Sequence, residues 1–442
     1  LIGNNRYFVV SYLAVVGLGA VAVPLNPTSP GPEIERELAA VGATAVIVAP
    51  VATTSWRNVD RGAVPTLHHV IAAEGELDGA PTLDALMKAA PVPIVDVEPD
   101  TLAVLIFTSG TAGAPRAAML SHGNLRANID QVIAADTATT AADVVYGVLP
   151  MFHIFGLNVA LGISLAVGAT VVLVQRFDPS TALETIRERR VTVLPGAPPM
   201  WVAFSTFDDA PSDAFASVRI SLTGAAKMPE EATRRLETRF GVHLAEGYGL
   251  TEAAPIVTAS APDAIRVGSV GKVVEGIEVR IVDENGDDAL DGDAGEIWVK
   301  GPNIFQGYLD DAESTARVLT SDGWLRTGDI AVTDDDGYLY LIDLAKDLII
   351  VSGFNVYPKE VEDVIAEHPG VAEVGVVGVP HPHTGEAVKA FVVAKPGVHL
   401  DEDDLISFCM DELARYKCPS SILIVDELPR NVSGKLLRRA LL

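Results

Sequence analysis

Apolar residues recur in one order along the first part of the chain. An apolar helical stretch, a glycine and a β-branched run follow one another at 8–25, at 40–50 and at 165–175. Runs that are apolar throughout are typical of strands buried on both faces of a sheet. With further short runs such as 102–107, they predict mostly parallel sheets with crossover helices up to about residue 262. We therefore expect doubly wound αβ units here.

The pattern changes at about Val267, where short alternating strands and turns replace the helical stretches. Strands are predicted at 278–283, 296–301 and 338–343, with turns such as Asp336-Gly337 between them. We expect residues 267–343 to form a β-rich subdomain of the large N-terminal domain.

A separate pattern follows Asp343. It predicts helices at 359–368 and 401–414 and strands at 371–380 and 387–395. Because no Pro- or Ser-rich linker precedes it, the junction is expected to be a short hinge. The predicted fold is therefore α/β, with a large domain at 1–343 and a small, mobile α+β domain at 344–442.

Composition narrows the class of protein. A chain of 442 residues with 49% hydrophobic residues is expected to hold more than one well-packed domain. The formal charge of −27 argues against a protein that binds nucleic acid or anionic lipid through its overall field. Any polyanionic ligand must be bound locally, by backbone amides, a few cations and a metal.

Cellular location is also constrained. Cys409 and Cys418 have no metal-ligand spacing, and two thiols fit a reducing cytoplasm. The apolar stretch 8–25 could suggest a membrane helix, but Gly17, Gly19 and Pro24 interrupt it, so at most peripheral association with a membrane is expected. The chain opens just before a helix and without Met, which suggests missing N-terminal residues.

The strand at 102–107 runs into a loop rich in glycine and hydroxyl groups. Glycine lets the backbone approach an anion, hydroxyls add donors, and an arginine adds charge. The loop lacks the Gly-Lys-Ser/Thr ending of a Walker loop, and alone it could equally be a surface turn. Its candidate phosphate-binding residues are Thr108, Ser109, Gly110, Thr111, Gly113 and Arg116.

Seven ordered motifs give this loop a context. The chain resembles the adenylate-forming superfamily of acyl-CoA synthetases, luciferases and peptide-synthetase adenylation domains, most closely bacterial long-chain fatty acyl-CoA synthetases. The motifs are FTSGTAGAPRAAMLSHGNL (107–125), PMFHIFGL (150–157), TGAAKM (223–228), EGYGLTE (246–252), GWLRTGD (323–329), KDLIIVSGFNVYPKEVE (346–362) and LPRNVSGKLLRR (428–439).

The resemblance implies a nucleotide site. Tyr248 would stack on adenine between Gly247 and Gly249, Thr251 would meet the α-phosphate, and Glu252 would hold Mg²⁺. Asp329 would accept hydrogen bonds from the ribose. Gly224, Ala225 and Ala226 would separate adenine from the acyl pocket, and His153 would lie beside the substrate carboxylate. Taken singly, Glu252 could be a solvated carboxylate and His153 a core side chain.

The resemblance also implies two working orientations of the small domain. Lys435 would bridge the substrate carboxylate and the α-phosphate during adenylation. Gly353 would line the tunnel for coenzyme A after a turn at the hinge residue Lys346.

Two segments depart from the family pattern. The phosphate loop ends in Pro115-Arg116-Ala117 where Pro-Lys-Gly is common, so the charge stays but its shape differs. Leu344 replaces an arginine expected near the ribose, which puts full adenylating activity in question.

The sequence predicts an ATP- and Mg²⁺-dependent acyl-CoA synthetase, with medium- or long-chain fatty acids as substrates and apolar candidates Phe152, Phe155, Met200 and Trp201 around them. Those four could equally be core residues. The alternatives are a ligase that loads an acyl carrier protein, an aryl-acid ligase, and an impaired homologue that only binds nucleotide or acyl ligand.

Overall fold

The computed structural model describes residues 1–108, 116–135, 138–225, 228–283, 285–290, 292–343, 349–429 and 438–442. No helix in these ranges is long and apolar enough to cross a membrane. Cys409 and Cys418 are buried and form no disulfide. The α-helices of these ranges are α1 (Arg6–Gly17), α2 (Gly31–Ala40), α3 (Thr53–Arg57), α4 (Leu83–Leu86), α5 (His122–Ile133), α6 (Ile163–Val167), α7 (Pro179–Arg189), α8 (Pro198–Thr206), α9 (Glu230–Phe240), α10 (Ala312–Val318), α11 (Pro358–Glu367) and α12 (Glu402–Glu412).

The strands of the same ranges form five sheets. They are β1 (Ala45–Val48), β2 (His69–Ala72), β3 (Leu102–Thr108), β4 (Arg116–Ser121), β5 (Val144–Gly147), β6 (Thr170–Leu173), β7 (Val193–Gly196), β8 (Ile220–Thr223), β9 (Leu244–Gly249), β10 (Ile256–Ala259), β11 (Lys272–Val273), β12 (Glu278–Val282), β13 (Gly295–Lys300), β14 (Leu325–Thr333), β15 (Leu339–Asp343), β16 (Ile349–Val351), β17 (Phe354–Val356), β18 (Val371–His381), β19 (Gly385–Ala394) and β20 (Ser421–Ile424).

Local sequence explains where several helices begin and end. The Ser121 side chain accepts from the Asn124 backbone and the Asn124 side chain accepts from Ser121, which is a capping box at the start of α5. Asp178 caps α7, whose first residue is Pro179. Gly241, with φ of +66°, ends α9. Helix α5 therefore begins at His122, directly after its cap.

A seven-stranded sheet forms the centre of the large domain. Its strand order is β11-β10-β9-β8-β7-β5-β6. Strands β9, β8, β7, β5 and β6 run parallel, whereas β10 is antiparallel to both of its neighbours, β9 and β11. Connections between the parallel strands run through helices, as the sequence predicts. The carboxyl ends of β8 and β9 lie side by side, because Thr223 pairs with Glu246. In open α/β sheets such ends are where ligands bind.

Two elements differ from the sequence expectation. The strand at 102–107 joins no parallel sheet; β3 pairs antiparallel with β4, so that Thr108 lies opposite Arg116. The first of the three repeated patterns gives helix α1 but only a single β-bridge, between Ala22 and Val104. Periodicity predicts strand and helix well, whereas strand partners depend on contacts far away in the sequence.

The remaining sheets match the predicted organisation. Strands β12 to β15 form a four-stranded antiparallel sheet at the position of the β-rich subdomain. In the C-terminal part, β17-β16-β19-β18 are antiparallel, and β20 adds to β19 in parallel. Helices α11 and α12 cover a separate core there that includes Val361, Ile365 and Cys409. The exact boundary at residues 343 and 344 stays a prediction, since residues 344–348 lie outside the described ranges.

Candidate active site

A cleft of about 790 Å³, partly open to solvent, lies at the carboxyl ends of β8 and β9. Four of the sequence motifs meet there, those at 150–157, 223–228, 246–252 and 346–362, although they are far apart along the chain. The predicted site residues that line the cleft are His153, Gly224, Ala225, Gly247, Tyr248, Gly249, Thr251 and Gly353. The apolar candidate Phe155 also lines it, whereas Met200 and Trp201 belong to the buried core between α7, α8 and α9.

Tyr248 and Asp329 are in direct contact. The Tyr248 hydroxyl donates to Asp329 Oδ2 at 2.6 Å, and both side chains are buried. Burial and the neighbouring carboxylate raise the pKa of Tyr248 well above its usual value, so the phenol remains a neutral donor. The β-rich subdomain thus brings its predicted ribose ligand, on β14, to the predicted adenine ligand on β9.

Glu252 is the half-buried carboxylate next to this pair. It follows β9 in a short 3₁₀ helix over Thr251–Ala253, and Tyr308 Oη donates to its Oε1 at 2.6 Å. Burial raises the pKa of Glu252, and the Tyr308 hydrogen bond opposes that rise. Tyr308 itself lies in none of the sequence motifs.

Arg116 lies beside this carboxylate. Its Nε is 3.2 Å from Asp311 Oδ2, and its guanidinium lies 5.5 Å from the centre of the Tyr308 ring. The charge lowers the pKa of Glu252, although less than Tyr308 does. The cation at the end of the predicted phosphate loop is therefore held at the edge of the site by two residues from 308–311.

His153 lies just before the N-terminal end of a π-helix over Phe155–Gly162. Burial lowers the pKa of His153 to about 4, so its ring is neutral near pH 7. The Phe155 amide donates to His153 Nδ1 at 3.3 Å, which leaves Nε2 as the protonated nitrogen. A side chain at Gly156 would meet the Pro150 carbonyl oxygen at 2.2 Å, so only glycine permits this tight turn. π-helical turns are frequent at functional sites.

The hairpin β16–β17 of the C-terminal part reaches into the cleft. Gly353 lies at its tip with φ of +85°, and a side chain there would stand 3.1 Å from Ala197. The next ring, Phe354, stacks on Phe152 at 6.2 Å and lies edge-on to His153 at 6.4 Å. Phe152 therefore contacts the C-terminal part.

A second cavity, partly open to solvent, adjoins the cleft at His153 and Thr251. It lies between the large domain and the C-terminal part, and Thr108, Phe354 and Lys417 are among its lining residues. The second cavity therefore brings residues of the C-terminal part next to the cleft.

Four buried charged side chains join the two parts beside this cavity, and we call them the interface cluster: Glu33, Glu37, Glu360 and Lys417. Lys417 Nζ donates to Glu33 Oε1 at 2.6 Å and to Glu360 Oε1 at 2.7 Å. Lys417 therefore links a helix of the large domain, α2, to α11. Three carboxylates around one ammonium would leave excess negative charge in a poorly solvated place, which favours protonation of one of them.

Glu37 is that carboxyl group. Burial, followed by the nearby Glu33, raises its pKa to about 8, while Lys417 and Arg36 act in the opposite direction and Glu360 adds to the rise. The folded protein keeps a proton on Glu37 that the unfolded chain loses near pH 4.5, so the contribution of Glu37 to stability is expected to fall as pH rises from about 4.5 to 8. One such proton gives a slope of up to about 1.4 kcal/mol per pH unit.

Glu37→Gln is expected to flatten this dependence. Melting temperatures at pH 6 and pH 8 measure it, with the exposed Glu74→Gln as the matched control. Relative to the wild type and the control, Glu37→Gln should lose less stability, or gain more, between the two pH values. Equal losses in all three proteins would contradict the assignment of the proton to Glu37.

Several predicted site residues cannot be placed. Ser109, Gly110, Thr111, Gly113, Ala226, Lys346 and Lys435 lie outside the described residues, as does Leu344. Thr108 and Arg116, which flank the phosphate loop, are paired in the β3–β4 hairpin. The roles given to the loop and to Lys435 therefore stay predictions.

The described residues contain no cluster of three or more His, Cys, Asp or Glu side chains arranged to hold a metal ion. A magnesium ion bound with a nucleotide needs only one or two carboxylates, because phosphate oxygens and water supply the rest. The half-buried Glu252 beside Thr251 fits that requirement.

His153 and Tyr248 line one cleft, and Asp329 and the half-buried Glu252 lie at its edge. The chain belongs to the AMP-binding enzyme family, whose sequence model matches residues 1–309, and the model of the AMP-binding enzyme C-terminal domain matches residues 360–435. The family and the site define the enzyme class as AMP-forming acid–CoA ligase, with ATP and coenzyme A as co-substrates.

Curated relatives act on different acids. The chain is 36% identical to the (7a-methyl-1,5-dioxo-octahydro-1H-inden-4-yl)propanoyl:CoA ligase of Rhodococcus jostii, over 99% of this chain and 87% of that protein. It is 34% identical to 4-coumarate–CoA ligase 1 of Oryza sativa subsp. japonica, over 100% and 81%. It is 39% identical to a long-chain-fatty-acid–CoA ligase of Bacillus subtilis, over 79% and 63%.

Solved structures share the fold. An o-succinylbenzoate CoA synthetase double mutant from Bacillus subtilis, bound to a product analogue, has a TM-score of 0.87 at 30% identity and covers 100% of this chain and 87% of its own. A malonyl-CoA ligase with methylmalonyl-CoA and AMP bound has a TM-score of 0.85 at 31% identity and covers 97% of this chain and 89% of its own. ATP-bound MatB from Rhodopseudomonas palustris has a TM-score of 0.71 at 33% identity and covers 99% of this chain and 86% of its own.

Proposed function

We propose that this chain activates a carboxylic acid in two steps. The carboxylate attacks the α-phosphorus of ATP to give an acyl-adenylate and pyrophosphate, and the thiol of coenzyme A then attacks the acyl carbon and releases AMP. Two easier steps replace one difficult condensation, since AMP leaves readily and hydroxide does not. The observation that carries the proposal is the convergence of His153, Tyr248, Thr251 and Gly353 on one cleft.

The residues divide between the nucleotide and the acid. Tyr248 and Asp329 would hold the adenosine, and Thr251 the α-phosphate. Glu252 would hold Mg²⁺, which supplies positive charge to the phosphates when bound. The neutral His153 ring would donate from Nε2 to the acid.

The orientation of the C-terminal part supports an assignment to the second step. Gly353 and Phe354 lie against the cleft, and the second cavity opens beside them. The fold is also closer to a complex holding methylmalonyl-CoA and AMP (TM-score 0.85) than to an ATP-bound ligase (0.71). We infer that this arrangement is the one that forms the thioester, with coenzyme A entering through the second cavity.

Pyrophosphate exchange into ATP, driven by a panel of acids, tests the first step. Fatty acids of medium and long chain, which the sequence predicts, belong in the panel with aryl and alicyclic acids, because relatives use all three classes. Thioester formation is then measured with coenzyme A and with an acyl carrier protein. If no acid in the panel supports pyrophosphate exchange, the proposal is wrong. If the acyl group is transferred only to the carrier protein, the carrier and not coenzyme A is the acceptor in the second step.

Leu344 supports one alternative function, that of an impaired homologue that binds nucleotide. The reason is that the resemblance places an arginine at this position. A charged hydrogen bond contributes about 1.5–3 kcal/mol, so Leu344→Arg is expected to tighten the apparent ATP affinity by roughly 10- to 100-fold. The gain should be smaller when ATP saturates, because the contact helps ground and transition state alike. The ATP dependence of pyrophosphate exchange measures it, with Leu344→Met as the neutral control.

Unchanged ATP affinity in Leu344→Arg would mean that another cation already serves the nucleotide. Candidates are Arg326 and Lys346. That result would remove the reason to regard the site as impaired.

A further inference from the structure

Helix α2 of the large domain binds the segment of the C-terminal part that ends α12 and leads towards β20, and we call this the α2 contact. Glu33 Oε2 accepts from the Ala414 amide at 2.6 Å, and Glu33 Oε1 accepts from Lys417 Nζ at 2.6 Å. On the next turn of α2, Arg36 donates to Glu412 Oε2 at 3.2 Å and to the Glu412 carbonyl at 2.9 Å. Each of these two helix residues therefore binds one side chain and one backbone group of the segment.

The two halves of the α2 contact differ in burial. Glu33 is 2% exposed and Lys417 is 5% exposed, whereas the side chains of Arg36 and Glu412 remain partly exposed. Exposed ion pairs contribute little, but the loss of one partner from a buried pair is costly, because the other charge stays in a poorly solvated place. We therefore expect Glu33 to contribute most to the α2 contact.

Aromatic rings connect this segment to the cleft. Tyr416 lies in the segment, and its ring stacks on Phe354 at 4.4 Å between ring centres. Phe354 stacks in turn on Phe152 of the large domain and follows Gly353, which lines the cleft at the tip of the β16–β17 hairpin. Tyr416 and Phe354 also line the second cavity together. The position of the hairpin is therefore coupled to the position in which α2 holds the segment.

We propose that Glu33 is a positioning residue for the second half-reaction. It holds the C-terminal part in the arrangement that places the β16–β17 hairpin in the cleft, and it acts through the segment that carries Tyr416. The proposal rests on the proposed function, because that function assigns the described arrangement to thioester formation. Adenylation, which the resemblance assigns to another orientation of the C-terminal part, does not need the α2 contact.

Glu33→Gln tests the proposal, because it keeps the size of the side chain and removes its charge. A ligand that binds only one arrangement loses apparent affinity by the factor by which that arrangement becomes less populated. One lost charged hydrogen bond corresponds to a factor of about 10 to 100. We expect the KM for coenzyme A to rise by that factor, the maximal rate to recover when coenzyme A saturates, and pyrophosphate exchange to stay unchanged.

Glu35→Gln is the matched control on the same helix. Glu35 Oε2 accepts from the Asp60 amide at 2.8 Å, so this contact lies within the large domain. Both half-reactions should keep their wild-type values in the control. Melting temperatures of the two variants show whether either of them fails to fold.

A charge reversal tests the α2 contact without changing a buried group. Arg36→Glu and Glu412→Arg are each expected to raise the KM for coenzyme A by about 2- to 5-fold, because exposed ion pairs are weak. The double variant restores a pair of opposite charges and should recover part of the loss. Losses that simply add in the double variant would contradict the α2 contact.

Amide hydrogen exchange without coenzyme A separates this proposal from the proposed function. Glu33→Gln should exchange faster than the wild type and Glu35→Gln in the segments 412–417 and 349–356. Faster exchange there in a protein that shows no acid-dependent pyrophosphate exchange would support the positioning role of Glu33 and contradict the proposed function. Unchanged hydrogen exchange with a raised KM would mean that Glu33 contacts coenzyme A itself, and equal slowing of both half-reactions would make Glu33 a purely structural residue. Either result would overturn the proposal.

Discussion

Lys435→Ala is expected to slow acyl-adenylate formation by about 10²–10³-fold, the size of one lost electrostatic contact in a transition state. The resemblance assigns Lys435 to the first step only, and Gly353 occupies the cleft in the described arrangement. Thioester formation from preformed acyl-adenylate is therefore expected to remain nearly unchanged. The two half-reactions are measured separately, by pyrophosphate exchange and by release of AMP with coenzyme A.

Lys395→Ala is the matched control for this experiment. Lys395 is exposed on the C-terminal part and donates to the Pro369 carbonyl, so its loss removes the same charge without touching the cleft. If Lys435→Ala slows both half-reactions equally, the assignment of Lys435 and Gly353 to different steps is wrong. If it slows neither, the lysine has no part in the chemistry.

Glu252→Gln is expected to lower adenylation by at least about 10²-fold at any magnesium concentration, because it removes the charge that would hold the metal. Tyr308→Phe is the informative partner variant. It removes the hydrogen bond to Glu252 and keeps the carboxylate, so its effect should be less than about tenfold. Wild-type turnover in Glu252→Gln would show that the metal is held elsewhere.

The pH profile distinguishes the same two variants. The raised pKa of Glu252 means that the carboxylate takes up a proton, and loses its charge, as pH falls. Adenylation should therefore decline on the acid side in the wild type. Because the Tyr308 hydrogen bond lowers the pKa of Glu252, Tyr308→Phe should move that decline to higher pH. A decline at the same pH in both proteins would contradict the coupling.

Residues within continuous motifs were the predictable part of the site. Tyr248, Thr251 and Gly353 line one cleft, and Glu252 and Asp329 contact residues at its edge. Each of these residues lies in a motif that the sequence alone shows. Strand and helix positions also follow from periodicity. The local sequence sets both, because each depends on neighbours in the chain.

Contacts between distant segments were not predictable. Tyr308 and Asp311 carry no motif, yet they contact Glu252 and Arg116. Glu33 and Lys417 lie almost 400 residues apart, and each alone resembles an ordinary surface charge. The antiparallel pairing of β3 with β4 is of the same kind, because partner choice depends on the folded chain.

The interface cluster also bears on the reversibility of the enzyme cycle. A turnover that needs two orientations of the C-terminal part cannot tolerate a deep free-energy minimum for either of them. Buried ion pairs suit this need, because the hydration that Glu33, Glu360 and Lys417 lose on closing nearly balances the attraction they gain. An apolar contact of the same area would hold the parts more strongly. The cluster can therefore fix the geometry of the described arrangement, in which Lys417 links α2 to α11, and still let the two parts separate fast enough for repeated turnover.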